Sequence, residues 1–207
     1  MEHKKLVLFD FDGVLVNTCD FWYGLHKASN ATLTWERFES MSHGNFITTM
    51  KKIFAEEDYV RPERAEEKFA EALQTVFSIE DILHDCILHL SSMYTLAIVS
   101  SSSSETISAF IKKENLEGCF QDILGYEMHS SKTVKIDSLL EKYKVDKNDT
   151  VLITDTLGDL LESNASGIKS IAVTWGLHKK DTLEKGVPTM IIDSPTELVE
   201  VVEKALQ

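Results

Sequence analysis

Leu6-Val7-Leu8-Phe9 is a short unbroken apolar run that stops at Asp10 and a glycine-containing turn. Such a run reads as a buried parallel strand that ends at a polar site. Similar runs recur at Leu96-Ala97-Ile98-Val99, Val151-Leu152-Ile153, Ser170-Ile171-Ala172-Val173 and Met190-Ile191-Ile192, with a weaker one at Asp122–Tyr126. Helical periodicity fills the intervals. Ile107, Phe110, Ile111 and Leu116 form one stripe, Ile136, Leu139, Leu140 and Tyr143 another, and Leu198, Val199, Val202 and Leu206 a third. Ser102 and Glu105 have the spacing of a capping box at the start of the first. Strands alternating with helices predict an α/β fold, a Rossmann-like three-layer αβα sandwich around a central parallel sheet. Ligands in such sheets collect at the carboxyl ends of the strands.

The stretch from Thr18 to Leu83 breaks the alternation. It carries helical patterns such as Phe54-Ala55-Glu56-Glu57 and Arg64 to Leu73, without a convincing strand. This predicts a small all-helical cap, residues 18–83, inserted after the first strand of a core made of residues 1–17 and 84–207. The mixed charges from Glu56 to Glu71 read as a solvated helix face.

Composition narrows the function. A chain of 207 residues, 43% hydrophobic and 27% charged, can bury one core and carry an insertion. The formal net charge of -13 argues against nucleic-acid and anionic-membrane partners, which are polyanions. A small anionic substrate stays compatible, because local lysines and a metal can reverse the field inside a cleft. Cys19, Cys86 and Cys119 lack metal-ligand spacing, and an odd number suits a reduced, cytoplasmic protein. The apolar run after Met1-Glu2-His3-Lys4-Lys5 is too short for a signal peptide or a membrane span. Oligomeric state leaves no trace in the pattern.

Four polar elements sit at predicted strand ends or helix starts. Asp10 and Asp12, in Asp10-Phe11-Asp12-Gly13, can face one pocket if Gly13 turns the chain, Asp10 as nucleophile and Asp12 as proton donor and acceptor. An ordinary Asp-Gly turn explains the pair equally well. In the serine run from Ser100 to Ser104, Ser100 and Ser101 are placed to hold phosphate oxygens, and Ser104 to serve helix capping. Lys132 lies where an ammonium could neutralise a carboxylate and a phosphoryl group, with Lys135 as its competitor. Asp155 ends a strand and Asp159 follows one helical turn later, an oxygen-donor pair suited to magnesium. Asp159 could equally compensate a helix N-terminus.

In this order the elements resemble the haloacid dehalogenase superfamily of aspartate-nucleophile phosphatases. The resemblance is carried by LVLFDFDGVLVNT, LAIVSSSS, SSKTVKID and VLITDTLGDLLESNASGIKSIAVTWG, the last similar to the phosphoglycolate-phosphatase-like branch. It covers the core from Leu6 to about Leu198, while the cap matches only in position and helical character. The resemblance implies Asp10 as nucleophile and magnesium ligand, and Asp12 as general acid/base with its main-chain carbonyl on the metal. It further implies Ser100 on the transferring phosphoryl group, Lys132 as charge stabiliser, Asp155 as the residue that completes the metal site, and Asp159 as a group that acts on metal-bound water or holds Lys132. Two positions depart from the pattern: Thr154 stands where relatives usually have Gly, and the lysine motif lacks a following proline.

The implied activity is magnesium-dependent hydrolysis of a small phosphate monoester through an aspartyl-phosphate. Asp12 favours phosphate transfer over dehalogenation, which needs no acid at that position. A phosphomutase and a non-catalytic interaction protein on the same fold are the alternatives. For substrate choice the cap offers His43, Gly44 and Asn45 as a loop between helices, with His26, Trp22, Tyr23 and Lys51 behind them. Trp175 reads as rim or fold support.

Overall fold

A computed structural model describes residues 5–56 and 58–207. The first four residues of the N-terminal tract, and Glu57 within the charged run, lie outside the described residues. In chain order the elements are β1 (Leu6–Phe9), α1 (Cys19–Ser29), α2 (Trp35–Ser40), α3 (Phe46–Glu56), α4 (Ala65–Thr75), α5 (Asp81–Met93), β2 (Thr95–Val99), α6 (Ser104–Lys113), β3 (Phe120–Leu124), α7 (Lys132–Tyr143), β4 (Thr150–Thr154), α8 (Leu157–Ser166), β5 (Lys169–Val173), α9 (Lys180–Leu183), β6 (Met190–Ile192) and α10 (Leu198–Ala205).

The six strands form one parallel sheet in the order β3-β2-β1-β4-β5-β6. Every apolar run that predicted a strand is one. The weakest, at Asp122–Tyr126, is realised two residues earlier, at Phe120–Leu124. Period-two alternation divides the strand side chains between two cores. Val7, Phe9, Leu96, Ile98, Val151, Ile153, Ile171 and Val173 pack with α5, α6 and α10 on one face. Leu6, Leu8, Ala97, Val99 and Leu152 pack with Ile136 and Leu139 of α7 on the other, while Leu160 of α8 covers Ala172. Both faces are therefore buried, which is why the strands read as continuous apolar runs.

β1 is central. Phe9 pairs with Ile98 of β2 on one side and Ile153 of β4 on the other. The residues after these three strands consequently meet at one edge of the sheet. The direction of winding reverses beside β1, the place where open α/β sheets form a crevice.

Four helices, α1 to α4, lie between β1 and the core helix α5. Leu33, Phe38, Met41, Met50 and Ile53 give them a small core of their own. They are not packed independently of the rest, because Phe69 and Leu73 of α4, with Phe21 and Trp22 of α1, join the larger core. His26 is buried among Trp22, Phe38 and Tyr59, and its Nδ1 lies 2.9 Å from the Tyr59 hydroxyl. Burial lowers its pKa. Among the described residues no helix is long and apolar enough to cross a membrane.

Candidate active site

Asp10 follows β1 and is buried. Its Oδ1 accepts from the Phe11 amide at 2.7 Å, and its Oδ2 lies 2.8 Å from Lys132 Nζ. Lys132 is itself 2% exposed and donates to Asp159 Oδ2 at 2.7 Å, so one ammonium is held between two carboxylates. Burial alone would depress the lysine pKa, but Asp10 and Asp159 overcome it and hold it above its usual value. Burial pushes Asp10 well above the ordinary carboxylate range, against the pull of Lys132. Burial also raises Asp159, but there Lys132 prevails and the carboxyl is held low. The two lysines differ in their contacts: Lys132 meets Asp10, while Lys135 donates to the Ser100 carbonyl.

Lys132 is positioned from α8. Glu162 Oε1 accepts from the Lys132 amide at 2.9 Å and from Ser131 Oγ at 2.7 Å, capping the start of α7 from outside. Glu162 lies three residues after Asp159, on the same face of α8, so one helix face grips both ends of Lys132. Thr154, the departure from glycine, has a use of its own. Its hydroxyl donates to Asp159 Oδ2 at 2.8 Å and fixes that carboxylate against the lysine.

Asp155 ends the arrangement. Its Oδ2 accepts from the Leu177 amide at 2.7 Å, and its Oδ1 is buried without a hydrogen-bond partner. Burial pushes its pKa up to about 7, partly offset by that amide. Two glycines make room for it. A Cβ on Gly13, which has φ +75, would fall 1.9 Å from Asp155 Oδ2, and one on Gly176 would fall 2.2 Å from the same atom. A buried carboxylate oxygen left unsatisfied beside a second carboxylate is a donor set for a hard cation. Among the described residues no cluster of three or more His, Cys, Asp or Glu forms a complete metal cage. Magnesium usually keeps several waters and uses one or two carboxylates, and Asp10 and Asp155 are the carboxylates that could hold it here.

Asp12 is turned the other way, toward the cap. Its Oδ1 accepts from Thr18 Oγ1 at 2.6 Å and Trp22 Nε1 at 3.2 Å, and its Oδ2 from Ser102 Oγ at 2.6 Å. Ser102 is therefore not the capping residue its spacing suggested. Ser103 caps α6, accepting from the Thr106 amide, and Ser104 is the first helical residue. Ser100 is fully buried, its Oγ accepting from the Ser102 amide at 3.0 Å, whereas Ser101 and Ser102 line the cavity in front of Asp10.

The loop expected to choose substrates divides. Gly44 lines the cavity, and His43 is exposed beside His178, with ring centroids 5.2 Å apart. Asn45 is committed to the core: its Nδ2 donates to the Ser130 carbonyl at 2.9 Å and Glu162 Oε2 at 3.0 Å, while its Oδ1 accepts from the Thr48 amide. Trp22, His26 and Lys51 reach the cavity wall, whereas Tyr23 packs against Trp35 and Phe38. Trp175 supports the fold, its Nε1 donating to the Val14 carbonyl at 3.1 Å. Cys19 is half-buried at the cavity wall, and all three cysteines are free.

Gly158 is where this loop meets the core. Its amide donates to the Ser42 carbonyl at 2.9 Å, and a Cβ there would lie 2.2 Å from the Gly44 carbonyl oxygen. The nearest atoms are backbone, so relief of the clash must move the loop itself. Gly158→Ala is expected to lift the loop off α8, costing about 1–3 kcal/mol of stability and lowering turnover. Thermal melts and rates of the purified variant test this; a wild-type melt with wild-type turnover would show that the close approach is dispensable.

Comparison with known proteins accords with this geometry. Residues 7–173 match the haloacid dehalogenase-like hydrolase family. A phosphoglycolate phosphatase of Synechococcus elongatus is 20% identical over 213 residues, covering 98% of this chain and 99% of that protein. A second, from Vibrio parahaemolyticus, is 26% identical over 112 residues, which are 53% of this chain and 49% of that protein. In two of the curated relatives, therefore, the match spans about half of the relative's length. The solved structure of a haloacid dehalogenase-like family hydrolase from Streptococcus pneumoniae superposes with a TM-score of 0.75 at 19% identity, covering 97% of this chain and 99% of that one. The chain belongs to the haloacid dehalogenase-like hydrolases.

Proposed function

We propose that the protein is a magnesium-dependent phosphatase that hydrolyses a small phosphate monoester through an aspartyl-phosphate on Asp10. The observation that carries this reading is the Asp10–Lys132–Asp159 clamp on the wall of a cavity, with the unsatisfied oxygen of Asp155 alongside. Asp10 and Asp155, with the main-chain carbonyl of Asp12, would hold the magnesium ion. Bound there, the ion would offset negative charge on the phosphate oxygens.

The chain's own groups account for the bond changes. An Asp10 oxygen attacks phosphorus as the ester P–O bond breaks, and the leaving oxygen takes a proton from Asp12. Asp12 then takes a proton from water as that water attacks phosphorus and the P–O bond to Asp10 breaks. The sum is ester plus water giving alcohol plus phosphate, with both carboxyl groups restored. Lys132 donates to the charge that builds on the transferring group, and Ser101 and Ser102 face it from the end of β2. Asp12 must give up part of its present network to carry a proton. The hydroxyls of Thr18 and Ser102 can reverse from donor to acceptor, whereas Trp22 Nε1 can only donate.

Phosphate release from a panel of small phosphate esters tests the proposal. Release is expected with magnesium, with loss under a chelator and return on readdition. No release from any ester would support a non-catalytic role, and stoichiometric isomerisation without free phosphate would support a mutase.

A further inference from the structure

The cavity that begins at Asp10 extends for about 520 Å³ into the cap. Pockets of about 300–1,000 Å³ hold drug-sized ligands, and the phosphoryl group with a two-carbon acid would leave most of this space unfilled. Its α3 wall is apolar. Phe46, Ile47, Met50 and Phe54 present one side of α3 to it, joined by Pro62, while Tyr126, whose amide donates to the Ser102 carbonyl, adds a ring beside the Asp12 end. Several of these remain accessible, with Phe54 36% and Tyr126 46% exposed, so the wall is not simply cap interior.

The charges around this wall do not favour a second anion on the substrate. Lys132 is already shared by Asp10 and Asp159. Arg61 lies beside Glu66, whose pKa is raised by partial burial and lowered in part by that arginine. Glu66 and Asp12 both line the cavity, close enough for the Asp12 carboxylate to push the Glu66 pKa up. Lys51 is the remaining described cation on the lining, and it is exposed on α3.

We propose that the substrate is the phosphate monoester of an uncharged alcohol with a large, largely apolar body, such as an aromatic ring system, which lies against the Phe46–Phe54 side of α3. This rests on the phosphatase reading above and gives it a substrate class. Continuity of the apolar wall with Asp10 is what commits it to the leaving group of the ester, because a ligand anchored by its phosphate at Asp10 must project its remainder into this space.

The test compares four esters of primary alcohols, so that leaving-group chemistry changes little: ethyl phosphate, benzyl phosphate, naphthylmethyl phosphate and 2-phosphoglycolate, each with magnesium. kcat/KM is expected to rise about tenfold or more from ethyl to naphthylmethyl phosphate, with phosphoglycolate below benzyl phosphate. Phe54→Ala, at a partly exposed position whose loss the fold can bear, is expected to lower the naphthylmethyl-to-ethyl ratio about fivefold. Phosphoglycolate or ethyl phosphate as the best substrate would overturn this inference and leave the phosphatase reading standing; so would an unchanged ratio in Phe54→Ala. Absence of phosphate from all four esters and from the wider panel would remove both.

Discussion

Replacing Asp10 by asparagine should abolish phosphate release, with kcat/KM falling at least about a thousandfold. The amide is isosteric and keeps the oxygen that accepts from the Phe11 amide, so the turn after β1 survives. What changes is the atom facing Lys132, where a donor replaces an acceptor. Lys132 retains Asp159, and a buried charge that its surroundings disfavour is gone. Stability should therefore stay within about 1–2 kcal/mol of wild type. The contrast between an intact fold and lost turnover separates a nucleophile from a structural carboxylate. Wild-type turnover in a folded Asp10→Asn protein would contradict the mechanism.

Lys132→Met should harm both fold and catalysis. Removing the ammonium leaves Asp10 and Asp159 buried side by side without their counter-ion, a loss of about 3–5 kcal/mol for such pairs. Transition-state charge would also lose a donor, lowering kcat about a hundredfold or more. Lys135→Met should behave differently. Lys135 touches the Ser100 carbonyl, not Asp10, and burial together with Lys132 lowers its pKa from 10.5 to about 8. Its proton is held less tightly in the folded than in the unfolded chain. Keeping it charged thus opposes folding below pH 8, and that opposition fades as pH rises toward 10.5. Relative to Lys135→Met, the wild type should gain stability across that window, and Lys135→Met should retain far more activity than Lys132→Met. Denaturant titrations from pH 7 to 10, with rates on the same proteins, test both statements. Equal loss of activity in the two variants would contradict the assignment of Lys132.

Much of this was readable from the chain because a doubly covered parallel sheet leaves a plain mark. Each strand is apolar on both faces, so its run stops where the backbone reaches the crevice, and Asp10, Ser100 and Asp155 follow such stops. The roles of neighbouring alike residues were not readable. Lys132 and Lys135 are one turn apart on α7 and both buried, and only the register of α7 against α8 distinguishes them. Five consecutive serines offer the same hydroxyl at each position, and the path of the loop decides that Ser103 caps α6 while Ser102 meets Asp12. Glu162 carried a weak signal, its three-residue spacing from Asp159, with nothing in the sequence to say that α7 begins opposite. Asn45 was legible as a loop residue but not as a tether, because its partners Ser130 and Glu162 lie far along the chain.

The most direct test of the central claim is to find the phosphoryl group on the protein. During turnover of a phosphate ester with magnesium, an acid quench followed by peptide mass analysis should recover the peptide containing Leu6–Phe11 with one added phosphoryl group on Asp10. Hydrolysis with no phosphorylated peptide in quenches spanning the first turnover, or with the group on another residue, would contradict it.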